Sequence, residues 1–452
     1  MTLQLTIDPP VIALAPRDEP QVAYALVTIG VEGGGGAAPI NWAVVADASR
    51  SMRIPIVSEA QFRELVREGG AHEVLVDGVP VWQLAGPVPE AIRASAPSAL
   101  DHTARALHSV VERLDQEDHL CLVACAEQAR LLVSRSGDHR AELVAGIAEL
   151  RAARLGEATD LAAGMHLALA ELAAAGDGGR LILLTDGFTR NPEACIALAR
   201  VAAERGVSVS TLGLGGEFQD ELLTRLADLT GGRAAFVRHA EQIPAAVAAE
   251  LDAARGTVAR ALTLELRLPR GAALRYATRL APVLAPLEWE AAAGGRQLQL
   301  QLGDLERDAP VRLLLEFLAP PVPPRPPAGG ARLRLAALDA RAGAAHAHAH
   351  VLGHYSGAAP PPAAIVAAAG RAGVARLQRR AAAAVARGDH AGAATLLQAA
   401  ATRLADLGEA GLAAAARHEA AVLAASGRDS GLGARELTYA TRRLGTRDRR
   451  DE

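Results

Sequence analysis

Between residues 38 and 254, short apolar runs alternate with longer stretches in which apolar positions recur every three or four residues. The runs at 41–46, 120–126, 180–185, 207–212 and 234–237 read as strands buried on both faces, with a shorter strand at 130–134. The stretches at 98–114, 141–150, 160–174, 192–205, 219–229 and 241–254 read as amphipathic helices. Strands and helices in strict alternation predict a mostly parallel, doubly wound sheet covered on both faces. In such sheets ligands sit beyond the carboxyl ends of the strands, where the strand order reverses.

The period changes on either side. From residue 262 it becomes two, with alternating segments at 262–268, 298–302, 311–317 and 333–335. The segments 3–7 and 22–29, punctuated by Pro9, Pro10 and Pro16, have the same character. Residues 1–37 are therefore expected to complete an antiparallel β-sandwich with 255–357, so that the α/β domain, 38–254, is inserted in the sandwich. Gly33–Gly36 reads as a flexible break at the entry, and 358–362 as a proline-rich linker at the exit. Beyond it, 363–452 reads as a helical array with segments at 365–386, 391–407, 411–425 and 434–444, separated by Gly388, Gly408 and Gly427. Residues 53–97 interrupt the α/β alternation, with a short helix at 58–68 and a hairpin around Asp77-Gly78. Patterned apolar residues favour an ordered insertion.

Composition narrows the setting. Half the residues are hydrophobic but only 3% are aromatic, so the core is built from Ala, Leu and Val. The basic residues are all arginines, which with the alanine runs points to a GC-rich bacterial genome. A net charge of -4 without an arginine run interleaved with aromatics argues against nucleic acid as a partner. No apolar run is long enough for a membrane span, and the first residues lack the basic and apolar regions of a signal peptide. Three cysteines (Cys121, Cys125, Cys195) cannot all pair, and two of them fall in core strand or helix positions, which suits reduced thiols in a cytoplasmic protein.

Candidate chemistry gathers at one turn. The strand ending in Asp47 runs into Asp47-Ala-Ser49-Arg-Ser51-Met52, which presents a carboxylate and two hydroxyls at alternate positions. Such an oxygen-rich turn suits a hard divalent cation. Gly156-Glu-Ala-Thr159-Asp160-Leu161 with Gly164 precedes a helix, and Leu184-Thr-Asp186-Gly187 ends a central strand. In that order, Asp47-x-Ser49-x-Ser51, Thr159 and Asp186 resemble the metal-ion-dependent adhesion site of a von Willebrand factor type A domain, over residues 38–254. A less specific resemblance extends to bacterial proteins in which this domain sits between sandwich strands and a helical tail.

The resemblance implies an octahedral Mg²⁺ or Mn²⁺. Ser49 and Ser51 would ligate directly, Thr159 directly or through water, and Asp47 and Asp186 through waters and hydrogen bonds. One position stays open for an Asp or Glu of a partner protein. This makes the expected function an intracellular, non-catalytic adaptor or scaffold. Two departures stand beside the site: Glu157 where small residues usually precede the threonine, and Arg50, placed to pair with a partner carboxylate. The alternatives are an assembly subunit of a chelatase- or AAA+-associated machine, and a metal-dependent hydrolase with Asp47 as nucleophile. The hydrolase reading lacks its second carboxylate, because position 49 is Ser.

Other motifs read more simply. Gly213-Leu-Gly215-Gly216 lacks the third glycine and downstream acid of a dinucleotide site and reads as a tight turn. His346, His348 and His350 would line one face of a strand near His354; a solvated edge is favoured over zinc. Arg387-Gly388-Asp389 reads as a helix turn.

Overall fold

The computed structural model describes residues 1–447 apart from 34–38, 58, 77–78, 87–88, 91–94, 177, 216–217, 293, 322–330 and 356–359. The glycines 34–36, the Asp77-Gly78 turn and Gly216 thus lie outside the described residues. Strands β1 (Thr2–Asp8), β2 (Val11–Leu14) and β3 (Gln21–Glu32) open the chain, and β4 (Asn41–Asp47) enters the α/β layer. Helix α1 (Glu59–Arg67) and the antiparallel pair β5 (Ala71–Val76) and β6 (Val79–Leu84) form the 53–97 excursion. The main alternation follows as α2 (Ala99–Arg113), β7 (His119–Cys125), β8 (Ala129–Ser136), α3 (Arg140–Ala152), α4 (Leu161–Ala175), β9 (Gly179–Thr185), α5 (Pro192–Glu204), β10 (Val207–Leu214), α6 (Asp220–Thr230), β11 (Ala234–Val237) and α7 (Ile243–Gly256).

These strands form one sheet in the order β11-β10-β9-β4-β7-β8, parallel except for β8 at one edge. Every residue of β9 and β10 is buried, as strands sandwiched between helices require. The chain winds from β4 outward to β7 and β8, then restarts on the other side with β9. The order therefore reverses between β4 and β9, and a crevice opens there beyond their carboxyl ends. Helix α2 begins with a capping box in which Ser98 and Asp101 satisfy each other's backbone N–H.

Helix α7 runs without a loop into β12 (Thr257–Arg267). With β13 (Ala273–Ala281), β14 (Ala285–Leu287), β15 (Glu290–Ala291), β16 (Gln297–Glu306), β17 (Val311–Ala319), β18 (Ala331–Ala342) and β19 (Ala345–Tyr355) it builds two further sheets, β1-β3-β17-β13-β14 and β15-β16-β12-β18-β19-β2. The two sheets face each other over one apolar core that includes Leu3, Ile29 and Phe317 from the first and Leu264, Leu338 and Val351 from the second. The first strands of the chain thus enter both sheets: β3 lies between β1 and β17, and β2 pairs in parallel with β19. The α/β layer is an insertion in this sandwich.

Helices α8 (Ala363–Ala386), α9 (His390–Asp406), α10 (Ala410–Ser426), α11 (Leu432–Arg442) and the short α12 (Leu444–Arg447) complete the chain. Their alanine-rich faces permit close approach, and their core is continuous with Leu26, Leu280, Leu284 and Leu314 on the outer face of the first sandwich sheet. Tyr439 of α11 also stacks near Phe236 and Phe218, with ring centroids 5.9 Å and 6.3 Å away, and so reaches the β11 side of the α/β layer.

Candidate metal-ion site at the switch point

Asp47 ends β4 and Asp186 follows β9, so the two carboxylates stand on either side of the reversal in strand order. Asp47 is 0% exposed, and Ser49 and Thr159 are buried beside it. Its Oδ1 accepts the Ser49 N–H at 2.9 Å, and its Oδ2 accepts the hydroxyls of Thr159 at 3.1 Å and Thr185 at 2.7 Å. The Ser49 and Ser51 hydroxyls lie 3.0 Å apart, and Ser51 Oγ donates to Asp186 Oδ1 at 2.7 Å. All five residues singled out in the sequence converge. Ser51 is exposed and Asp186 half-buried, so the cluster opens to solvent on their side.

Local chemistry brings Thr159 here. Its segment is stitched to the neighbouring strand end by the Asp160 N–H donating to Ala126 O at 2.8 Å. On the other side Thr159 bridges Thr189, whose Oγ1 accepts the Leu161 N–H at 3.0 Å, and the Arg190 N–H donates to Thr159 O. The Asp160 carboxylate then caps α4 by accepting the Ala163 N–H. Gly164 in the first turn allows α4 to lie against β4 and β7; a Cβ there would stand 2.6 Å from Val45 Cγ1.

Sequence reasoning missed Thr185 and Thr189 as parts of this network. Thr185 is the last residue of an apolar strand, and its hydroxyl also accepts the Gly187 N–H at 3.2 Å. A lone hydroxyl closing the aliphatic run 181–184 was the available signal. Beneath the site, burial pushes the Cys125 thiol up to about 12, and the nearby Asp47 charge acts in the same direction.

The donor set is all oxygen, two carboxylates and three hydroxyls, which suits a hard cation. An octahedral Mg²⁺ with bonds of about 2.1 Å separates adjacent ligand oxygens by about 2.9 Å. The Ser49–Ser51 separation of 3.0 Å is close to that value, and Asp186 orients Ser51 Oγ by accepting its hydrogen bond at 2.7 Å. The residues present fit such an ion.

The remaining motifs fall out as plain structure. Gly213 packs against the Phe218 ring, which a Cβ would strike at 2.3 Å. Asp389 caps α9 by accepting the Gly392 N–H at 2.9 Å. His346, His348 and His350 are exposed along β19, and among the described residues no group of three or more His, Cys, Asp or Glu side chains could hold a metal ion. A cavity of about 520 Å³ opens where the three layers meet, lined by residues such as Asp228, Trp289 and Arg442; the five site residues lie elsewhere.

The whole architecture has counterparts. A von Willebrand factor type A protein from Catenulispora acidiphila superposes with a TM-score of 0.71, covering 98% of this chain and 96% of that one at 14% identity. This chain has the von Willebrand factor type A fold. The ArnB paralog VWA2 from Sulfolobus acidocaldarius shares the fold at a TM-score of 0.52 and 13% identity, over 99% of each chain. In sequence, the chain is 27% identical over 207 residues to a UPF0353 protein of Mycolicibacterium gilvum, a match spanning 39% of this chain and 61% of that one. It is also 27% identical over 135 residues to the uncharacterized protein sll0103 of Synechocystis, covering 29% of this chain and 31% of its relative. Thus the chain spans less than two thirds of the length of the curated relatives it matches. Residues 363–447 match the family model described as the Sll0103-like C-terminal alpha-helical domain, so the helical array beside the von Willebrand factor type A layer is itself a recurrent unit.

Proposed function

We propose that this protein binds a partner protein through a divalent cation, Mg²⁺ or Mn²⁺, held at the crevice between β4 and β9, and acts as an adaptor rather than an enzyme. Ser49, Ser51 and Thr159 would offer hydroxyl oxygens, and Asp47 and Asp186 would act through waters and hydrogen bonds. The bound ion would supply an electrophilic position with room for one carboxylate of the partner. With only two carboxylates close by, the ion keeps enough positive charge to attract that third one. The observation that carries the reading is the convergence of Asp47, Ser49, Ser51, Thr159 and Asp186 into one hydrogen-bonded cluster with an open side. Such chemistry requires no nucleophile or general base. No helix among the described residues is long and apolar enough to cross a membrane.

The test is affinity capture on the immobilised chain. Partner proteins should be retained in Mg²⁺, released by EDTA, and absent from a Ser51→Ala column. Equal retention with EDTA present would contradict a metal-bridged contact.

A further inference from the structure

The cavity of about 520 Å³ at the junction has no part in the metal reading. All three layers build it. Helices α5 and α6 supply the α/β wall, β14, β15 and β16 the sandwich wall, and α8 and α11 the helical wall. Its size falls within the range of sites that enclose a small molecule, about 300–1,000 Å³, and such sites favour the seams between domains.

Charge decides what fits it. Among the described residues, six carboxylates and four guanidiniums line the cavity. Part of this charge is cancelled in place. Arg442 is bonded to Asp228, and Arg225 and Arg379 lie 3.9 Å and 3.1 Å from the same oxygen of Glu288. Burial holds the Asp220 carboxyl above the usual carboxylate range, against the nearby charge of Arg435. Glu204, Glu221 and Glu290 have no ion-pair partner among the described residues, and the one lining arginine outside a pair there is Arg200. The surplus is therefore negative, and it comes from two layers: Glu204 and Glu221 on the α/β side, Glu290 on the sandwich side.

Position reinforces this. Glu204 is the last residue of α5, where the final carbonyls add partial negative charge. Glu290 stands opposite Gln299 across the β15–β16 pair, so an amide able to accept from an ammonium group neighbours the carboxylate. The same wall offers an apolar surface. Trp289 packs against the sandwich core and is half-buried where it lines the cavity. A tryptophan face attracts cations and covers methylene groups alike.

We propose that this cavity binds an aliphatic polyamine, a linear molecule whose ammonium groups pair with Glu204, Glu221 and Glu290 while its methylene chain lies along Trp289. Carboxylates on separate walls call for more than one positive centre on a flexible chain. A lone metal ion leaves the apolar wall and most of the volume unused, and an anion meets the surplus of carboxylates.

Titration calorimetry on the metal-free full chain, with spermidine as the probe, tests this apart from the strand-end cluster. One spermidine should bind per chain. Hexylamine, with a single charge, should bind roughly tenfold more weakly, and uncharged hexanediol should give no heat. Glu221 and Glu290 are both exposed, so the double variant Glu221→Gln with Glu290→Gln should keep the wild-type urea midpoint. It should nevertheless lose roughly tenfold in spermidine affinity. Trp289→Ala should weaken binding as well, and Trp289→Phe should recover most of the loss. Ser51→Ala should bind spermidine like the wild type. The inference is overturned if the wild type binds no spermidine, if hexylamine binds as tightly, or if the double variant is unchanged. Loss of spermidine binding in Ser51→Ala overturns it too, because the polyamine would then sit at the strand-end cluster.

Discussion

At the ends of β4 and β9, hydroxyls and carboxylates from distant segments meet with one side open to solvent. Where the three layers join, Arg279 of β13, Asp228 of α6 and Arg442 of α11 also meet at the wall of the 520 Å³ cavity, but there the charges are paired with one another. Arg279 is 1% exposed; its guanidinium donates to the carbonyls of Val283, Gly231 and Gly232 and lies 3.7 Å from Asp228. Burial pulls it down to about 10, leaving it charged at neutral pH. Arg442 donates to both Asp228 oxygens, at 3.0 Å and 2.6 Å. A second closed cluster joins Arg180 of β9 to Asp304 of β16 at 2.8 Å and Glu250 of α7 at 3.6 Å. The difference separates two uses of buried polarity. A cluster whose charges are paired within the chain holds layers in register, and one with an open side is arranged to receive something.

Substitutions should pull the two apart. The largest effect is expected at the junction: Asp228→Ala leaves two buried guanidiniums without their carboxylate and should cost about 3–5 kcal/mol by urea unfolding. Asp47→Ala should rank next, at about 1–3 kcal/mol in all, because the two threonine hydroxyls it leaves can rotate to other acceptors. Asp47 accepts three hydrogen bonds at full burial, so removing it perturbs the fold as well as the site. Ser51→Ala is the cleaner probe. Its side is exposed, and in EDTA it should change stability by less than about 1 kcal/mol, while Mg²⁺ at a hundred times the wild-type Kd should stabilise the wild type by about 2.7 kcal/mol and the variant by no more than about 1.4 kcal/mol. Should Ser51→Ala cost as much as Asp228→Ala in EDTA, the open cluster is structural and the contrast collapses.

The smallest effects concern the thiols. Burial pushes Cys121 and Cys125 up to about 12 and Cys195 up to about 11. Iodoacetamide at pH 8 should leave all three unmodified in the native chain and label them once it is unfolded. The sign with pH follows. Above about 9, thiols of the unfolded chain release protons that the folded chain keeps, so stability should fall as pH rises from 9 towards 12. A flat unfolding free energy over that range would show the thiols to be more solvated than their packing implies.

Much of this was legible in the chain itself. Strands β4 and β7 and the stretch 181–184 of β9 announce themselves because burial on both faces leaves them as apolar runs. The helices of the C-terminal array are delimited by Gly388, Gly408 and Gly427, which have φ of +77°, +80° and +66° at the turns. Asp47, Ser49, Ser51, Thr159 and Asp186 were visible because each stands just past the end of an apolar strand or just before a helix. Other parts were not. Strand β13 hides because Arg279 is buried in it for the sake of the junction, and a charged residue disguises a core position. Strand β2 is only four residues long, too short to show a period. Thr185 looks like strand filler until its hydroxyl is seen on Asp47. The junction clusters were invisible for a general reason: ion pairs between residues such as Asp228 and Arg442 are fixed by tertiary packing, and no local pattern encodes the partner.

The account turns on whether the open cluster receives an ion. An Mn²⁺ titration followed by electron paramagnetic resonance, on the wild type and on Ser51→Ala, tests it most directly. One Mn²⁺ should bind per wild-type chain, displaceable by Mg²⁺, with affinity lower by roughly tenfold or more in the variant. No bound Mn²⁺, or equal binding by both chains, would contradict it.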